Sequence, residues 1–190
     1  LEAAKERGVS HFLSVAVDMP TSKSLLELTA QHDNVYSSVG AHPLQKVQQE
    51  VPSVAELVEL AKQPGVVAIG ETGLDNFYSS ETIDWQRASF INHLKASQQI
   101  NKPVIIHTRD ARDETIRLLR EYTPSAAGVM HCFTESWEMA EQALELGFYI
   151  SFSGIVTFAS ADELRDVATK VPLDRILVET DSPWLAPVPH

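Results

Sequence analysis

Residues 66 to 75 read Val-Val-Ala-Ile-Gly-Glu-Thr-Gly-Leu-Asp. Four apolar residues open the stretch and three of them are β-branched, the composition of a strand buried on both faces. A carboxylate, Glu71, follows at once, between Gly70 and Gly73. An unpaired buried carboxylate costs several kcal/mol, and a cation is one of the few partners that offsets it. The two glycines are expected to leave room for that cation and for a substrate.

The same kind of run recurs along the chain: SHFLSVAVD (10–18), NVYSSVGAH (34–42), KPVIIH (102–107), GVMHCF (128–133), GFYISFSG (147–154) and DRILVETD (174–181). Helical patterns separate the runs, the signature of βα units in a parallel sheet of seven strands. Ser24 with Glu27, Ser53 with Glu56 and Ser160 with Glu163 read as capping boxes that open three of the helices. Leu57, Leu60 and Ala61 form one sheet-facing stripe, and Phe90, Ile91 and Leu94 another. No linker or low-complexity segment interrupts the series, so residues 1–190 are expected to form a single domain.

Polar residues end these runs: Asp18, His42, Glu71, His107, His131, Ser153-Gly154 and Asp181, each about one βα unit after the last. In parallel α/β folds that edge of the sheet is where ligands sit. Any one of them reads equally well as a helix cap or a satisfied polar residue. Together, two imidazoles and two carboxylates at Glu71, His107, His131 and Asp181 point to a divalent metal site. In an open sheet with strands about 4.8 Å apart, strand ends four places distant lie about 19 Å apart, too far for ligands that must approach an ion to about 2.1 Å. Closing the sheet brings all the ends to one mouth. A TIM (β/α)8-type barrel is therefore favoured over a doubly wound sheet.

Eight strands are expected of such a barrel. Leu1 to Arg7 reads as the last turns of a helix capped by Gly8, so the first strand is expected to be missing, just ahead of Leu1. The proline-rich end SPWLAPVPH suits a loop over the barrel mouth. Two unpaired sheet edges would then make for poor solution behaviour.

Lys and Arg number 15 against 26 Asp and Glu, a net charge of −11. This argues against a broad basic face for nucleic acid but leaves room for bound cations to supply positive charge locally. No apolar run approaches the ~18 residues that span a bilayer. Cys132 is the only cysteine, so no intrachain disulfide can form, which suits a reducing cytoplasmic compartment. Read as the strand neighbour of His131, Cys132 should be a buried apolar filler. His11, His32, His93 and His190 read as surface or packing residues, and Trp184 as packing rather than a substrate contact.

The strings GAHPL (40–44), GETGLD (70–75), PVIIHTRDA (103–111), GVMHCF (128–133), GFYISFSGIVTF (147–158) and RILVETDSPWLAP (175–187) resemble the TatD family of metal-dependent hydrolases, in order and across nearly the whole chain. The resemblance implies a barrel that hydrolyses phosphodiesters, as a 3′–5′ exodeoxyribonuclease, with two divalent ions that could be Zn, Mg or Mn. It further implies that Glu71 bridges both ions, that His107 and His131 complete one site, and that Asp181 binds the other and helps activate water. By the same resemblance His42 and Arg109 contact the substrate phosphate. For Arg109 an ion pair with Asp110 or Asp113 is an equal alternative.

The family's opening His-x-His motif occurs nowhere in these residues. With the missing first strand, that marks the chain as truncated at both ends and weakly active or inactive, a monomer that binds DNA or another phosphodiester at the metal site and does not engage membranes. A hydrolase of small amides, lactones or esters and a degenerate, non-catalytic barrel are the alternatives.

Overall fold

A computed structural model describes residues 1–44 and 50–190. The strands are β1 (Phe12–Ser14), β2 (Val35–Val39), β3 (Val66–Asp75), β4 (Val104–Arg109), β5 (Gly128–Met130), β6 (Tyr149–Phe152) and β7 (Ile176–Val178). The helices are α1 (Glu2–Lys5), α2 (Met19–Gln31), α3 (Val54–Ala61), α4 (Ile83–Ile100), α5 (Arg112–Glu121), α6 (Trp137–Glu145) and α7 (Asp162–Lys170). Every strand pairs in parallel with the next, in the order β1 through β7. A doubly wound sheet would reverse direction at a switch point; this order never does. Right-handed crossovers then put every helix on one face, and the sheet curls around the other, as in a TIM barrel. Among the described residues β1 and β7 are the two edges.

Burial follows position in the sheet. Val104, Ile105 and Ile106 of β4 are buried on both faces, and β3 is buried except at Val67. On the edge strands Leu13 is 50% exposed and Val178 84%, because each lacks a second neighbour. Leu57 and Ala61 of α3 and Phe90 and Leu94 of α4 are fully buried, with Leu60 and Ile91 packed beside them, as the helical spacing predicts.

Of the three expected capping boxes, only Ser53 with Glu56 forms. Helix α2 starts earlier than its Ser24 suggests, because Asp18 caps it by accepting from the Thr21 amide at 2.6 Å, and Pro20 sits in the first turn. Asp18, one of the residues ending the apolar runs, is thus spent as a cap. Helix α7 begins at Asp162, leaving Ser160 outside.

Strand β3 is irregular where it matters. Its pairing with β4 runs from Ile69 opposite Val104 to Thr72 opposite Ile106, so one extra residue is inserted at Gly70–Glu71. A bulge of this kind re-aims a side chain. The adjoining glycines serve the backbone rather than a ligand: a β-carbon at Gly73, where φ is +144°, would lie 1.9 Å from the His107 carbonyl oxygen, and one at Gly70, where φ is +134°, 2.6 Å from that of Ile105. They let β4 approach β3. Gly73→Ala is expected to lower stability by about 3 kcal/mol or more, since neither backbone can move aside; an unchanged urea midpoint would show that the two strands are not held this closely.

Candidate metal centre

The bulge turns Glu71 into the barrel mouth, where its amide donates to the Ala16 carbonyl at 3.0 Å and the residue is 7% exposed. One carboxylate oxygen, Oε1, faces three imidazoles: His107 Nδ1 at 3.3 Å, His42 Nε2 at 3.5 Å and His131 Nε2 at 3.9 Å. His131 Nε2 also lies 3.3 Å from Asp181 Oδ1. All four residues read from the strand ends as metal ligands meet here, and His42 stands among them.

Each of two imidazoles is held from behind by a second carboxylate. Asp75, fully buried at the end of β3, places Oδ2 3.1 Å from His107 Nε2, while its Oδ1 accepts from the Tyr78 amide at 2.7 Å. Glu179, just past β7, lies 2.9 Å from His131 Nδ1 and accepts from Ser151 Oγ at 2.6 Å and the Cys132 amide at 2.8 Å. A carboxylate on one ring nitrogen fixes an N–H there, so that the other nitrogen, once its proton is displaced, can turn its lone pair on a cation at the centre, the arrangement that ligating histidines show.

His42 is held the opposite way. Its Nδ1 accepts from the Leu44 amide at 3.1 Å, so the proton of the neutral ring sits on Nε2, the nitrogen that faces Glu71 and, 3.3 Å away, His107 Nδ1. His42 Nε2, Glu71 Oε1 and His107 Nδ1 are close enough to hold one ion, but the Leu44 bond makes His42 a donor in the resting site.

Electrostatics set the protonation of the cluster. Burial alone would raise the Glu71 carboxyl, but hydrogen bonds from His107 and His42 outweigh it and hold it far below the usual carboxylate range. Burial opposes charge on His107, yet Asp75 and Glu71 overcome it and raise its pKa. For His131 burial is likewise outweighed, by Asp181, Glu179 and Glu71, which raise it to about 10.

The donor set fits a divalent cation. Four carboxylates surround three imidazoles, a surplus of negative charge in a partly buried cleft. Donor atoms 3.3 to 3.5 Å apart also match the edge of a tetrahedron, roughly 3.4 Å, for bonds of about 2.1 Å. Imidazole with carboxylate suits Zn, Mn or Fe.

Several neighbours differ from their sequence reading. Cys132 lies beyond β5 with φ +44°, so strand alternation does not apply to it; its Sγ is 3.1 Å from Ser153 Oγ, and burial pushes the thiol up to about 12, which keeps it from acting as a thiolate ligand. Trp184 is 73% exposed rather than packed. Arg109 pairs with neither Asp110 nor Asp113 among the described residues; its guanidinium lies over the rings of Phe77 and Tyr78, 4.3 and 4.6 Å from their centroids.

His93, read only as surface or packing, is a buried staple. Its Nδ1 donates to the Ser89 carbonyl at 2.6 Å and its Nε2 accepts from the Ala41 amide at 3.0 Å, which anchors the residue before His42. Burial lowers its pKa to about 4, so it stays neutral. Its position on the buried face of α4 between Phe90 and Ser97 was a signal of burial, though not of the bond to Ala41.

Asp75→Asn and Glu179→Gln are each expected to weaken metal affinity 10- to 100-fold with the fold intact by circular dichroism. Metal uptake should also release protons. The raised pKa of His131 means that its bound proton stabilises the metal-free fold fully below about 6.5 and loses that effect as pH rises through about 10, so affinity should climb with pH across that window. Titration calorimetry in two buffers of different ionisation enthalpy reads the release, and identical heats would remove His131 from the site.

Among known proteins, the family described as TatD related DNase matches residues 1–190. The chain is 53% identical over 191 residues to the uncharacterized metal-dependent hydrolase YcfH of Escherichia coli K12, covering all of this chain and 71% of that protein. It is 33% identical over 186 residues to the 3′-5′ ssDNA/RNA exonuclease TatD of Shigella flexneri, covering 97% of this chain and 72% of the relative. The crystal structure of YjjV, a TatD homolog from E. coli K12, superposes with a TM-score of 0.90 at 30% identity, covering 97% of this chain and 72% of that one.

Proposed function

Because this chain belongs to the TatD-related DNase family of metal-dependent hydrolases, we propose that its centre cleaves phosphodiester bonds of single-stranded nucleic acid, one nucleotide at a time from the 3′ end. One observation carries the reading: a single buried oxygen of Glu71 facing three imidazoles, two of them oriented by carboxylates. Two divalent ions, Zn, Mg or Mn, are proposed, with Glu71 shared between them, His107 and His131 completing one set and Asp181 belonging to the other. Bound there, they supply Lewis acidity toward a phosphoryl oxygen and a water of lowered pKa.

The chain's own residues do the rest. Asp181, at the open side of the cluster with its side chain 32% exposed, accepts the proton of the attacking water. His42 offers its Nε2–H to a non-bridging phosphoryl oxygen, and the Leu44 amide on Nδ1 keeps that proton in place. Arg109, two residues beyond His107 on β4, brings a guanidinium whose planar fork of N–H donors suits the oxygens of a phosphate. With a net charge of −11 the substrate is held locally, and we place the protein in the cytoplasm as a monomer. No helix among the described residues is long and apolar enough to cross a membrane.

A labelled single-stranded oligonucleotide, incubated with Mg, Mn or Zn, should shorten from its 3′ end, and Glu71→Gln and His107→Ala should each slow this at least about 100-fold. Faster turnover of a lactone or cyclic amide would move the reaction to a carbon centre, and full metal occupancy without any hydrolysis would make the barrel a binding protein.

A further inference from the structure

We propose that Phe77, Tyr78 and Arg109 form a stacking platform for the base of the nucleotide next to the metal centre; this rests on the nucleic-acid reading above. Phe77 is 56% exposed and Tyr78 59%, side by side in the loop after β3. Their rings meet edge to face, 89° apart with centroids 4.6 Å apart, and the Arg109 guanidinium lies over both.

The loop does not depend on the rings for its shape. Asn76 donates its amide to the Arg109 carbonyl and its side-chain nitrogen to the Asp110 carbonyl, each at 2.9 Å, and the Tyr78 amide is held by Asp75. Two large aromatic side chains are thus presented to solvent by backbone and side-chain bonds that would form without them. Exposed apolar groups held in this way mark a contact surface rather than a packing defect.

Their location ties them to the chemistry. One carboxylate, Asp75, grips the Tyr78 amide with Oδ1 and His107 with Oδ2, so the platform and the metal centre share a rigid connection. Arg109 and His107 lie two positions apart on β4, roughly 7 Å along the strand and on the same side of it. A phosphate at the centre would therefore have its attached nucleoside beside the rings.

Charge selects the ligand class. In a chain of net charge −11, counterion release cannot supply the affinity that basic nucleic-acid proteins use. Aromatic faces joined to a guanidinium can, since every base has a π-face and stacking tolerates sequence. The ligand is a purine or pyrimidine of a single strand, and its binding should depend only weakly on salt, with about one phosphate charge neutralised.

Fluorescence anisotropy of the metal-loaded protein with a 5′-labelled single strand, its last linkage a phosphorothioate to prevent turnover, tests this directly. Phe77→Ala with Tyr78→Ala should weaken binding roughly 5- to 100-fold, while Phe77→Tyr with Tyr78→Phe should retain it. Removing only the terminal base should weaken wild-type binding by a similar factor, and the two losses should not add. No binding by the wild type, equal binding by the alanine variant, or an equal further loss on the abasic strand would overturn the platform. Cutting of the unmodified strand is scored separately: cleavage without base dependence sinks the platform alone, and base-dependent binding without cleavage sinks the nuclease reading alone.

Discussion

Glu71 is a carboxylate in a place where a charge is hard to keep. It is 7% exposed, midway along a strand whose first residues are apolar, and burial by itself pushes it toward protonation. It stays ionised because three imidazoles converge on one of its oxygens, and these come from three different strand ends. The rest of the mouth depends on this convergence. Without the extra residue at Gly70–Glu71, the regular alternation of β3 would carry the carboxylate to the other side of the sheet, and the histidines would surround nothing. The close fit of Gly73 against His107 then fixes how far apart β3 and β4 place their polar groups.

The three imidazoles look alike in composition and differ in what stands behind them. Asp75 and Glu179 each accept the N–H of the outer nitrogen of a histidine, so His107 and His131, on losing the inner proton, would present lone pairs to a cation at the centre. The Leu44 amide instead donates a hydrogen bond to His42 Nδ1, which makes the nitrogen at the centre a donor. The same side chain serves as ligand or as hydrogen-bond donor according to its distal partner, and the geometry of the ring at the centre does not by itself separate the two. Both supporting carboxylates also hold backbone amides, of Tyr78 and of Cys132, so each ligand is coupled to the loop that follows a strand.

Much of this could be read from the chain before the fold was known. Seven apolar runs with polar endings gave a parallel sheet, and the need to bring Glu71, His107, His131 and Asp181 together favoured curling it; the unbroken strand order agrees. The missed residues share a physical reason. Asp75 meets His107 across 32 positions and Glu179 meets His131 across 48, and nothing local marks either carboxylate as a partner rather than a solvated charge. His93 is similar: a histidine on a helix face shows burial by its period, while its bond to Ala41 spans 52 positions. Cys132 lies two residues beyond the end of β5, so strand alternation does not reach it, and Asp18 takes the cap reading that was open to every run-ending residue. The glycines beside Glu71 were credited to a ligand, but they are needed by the neighbouring strand.

Charge organises the molecule at two scales. Over its whole surface the protein repels a polyanion, and at the centre four carboxylates would do so more strongly were no cations bound. Cations held there would reverse the sign within a few ångströms, a distance over which screening is slight, while the acidic surface farther out is screened beyond about 8 Å at physiological ionic strength. On the proposed reading a phosphate would therefore be favoured only at the mouth, and the rest of a long strand would gain nothing from contact. For the nuclease proposed above, that arrangement would suit a chain end better than the middle of a polymer, because an end presents one phosphate with a single flanking tract, whereas an internal site must lay acidic polymer across acidic protein on both sides.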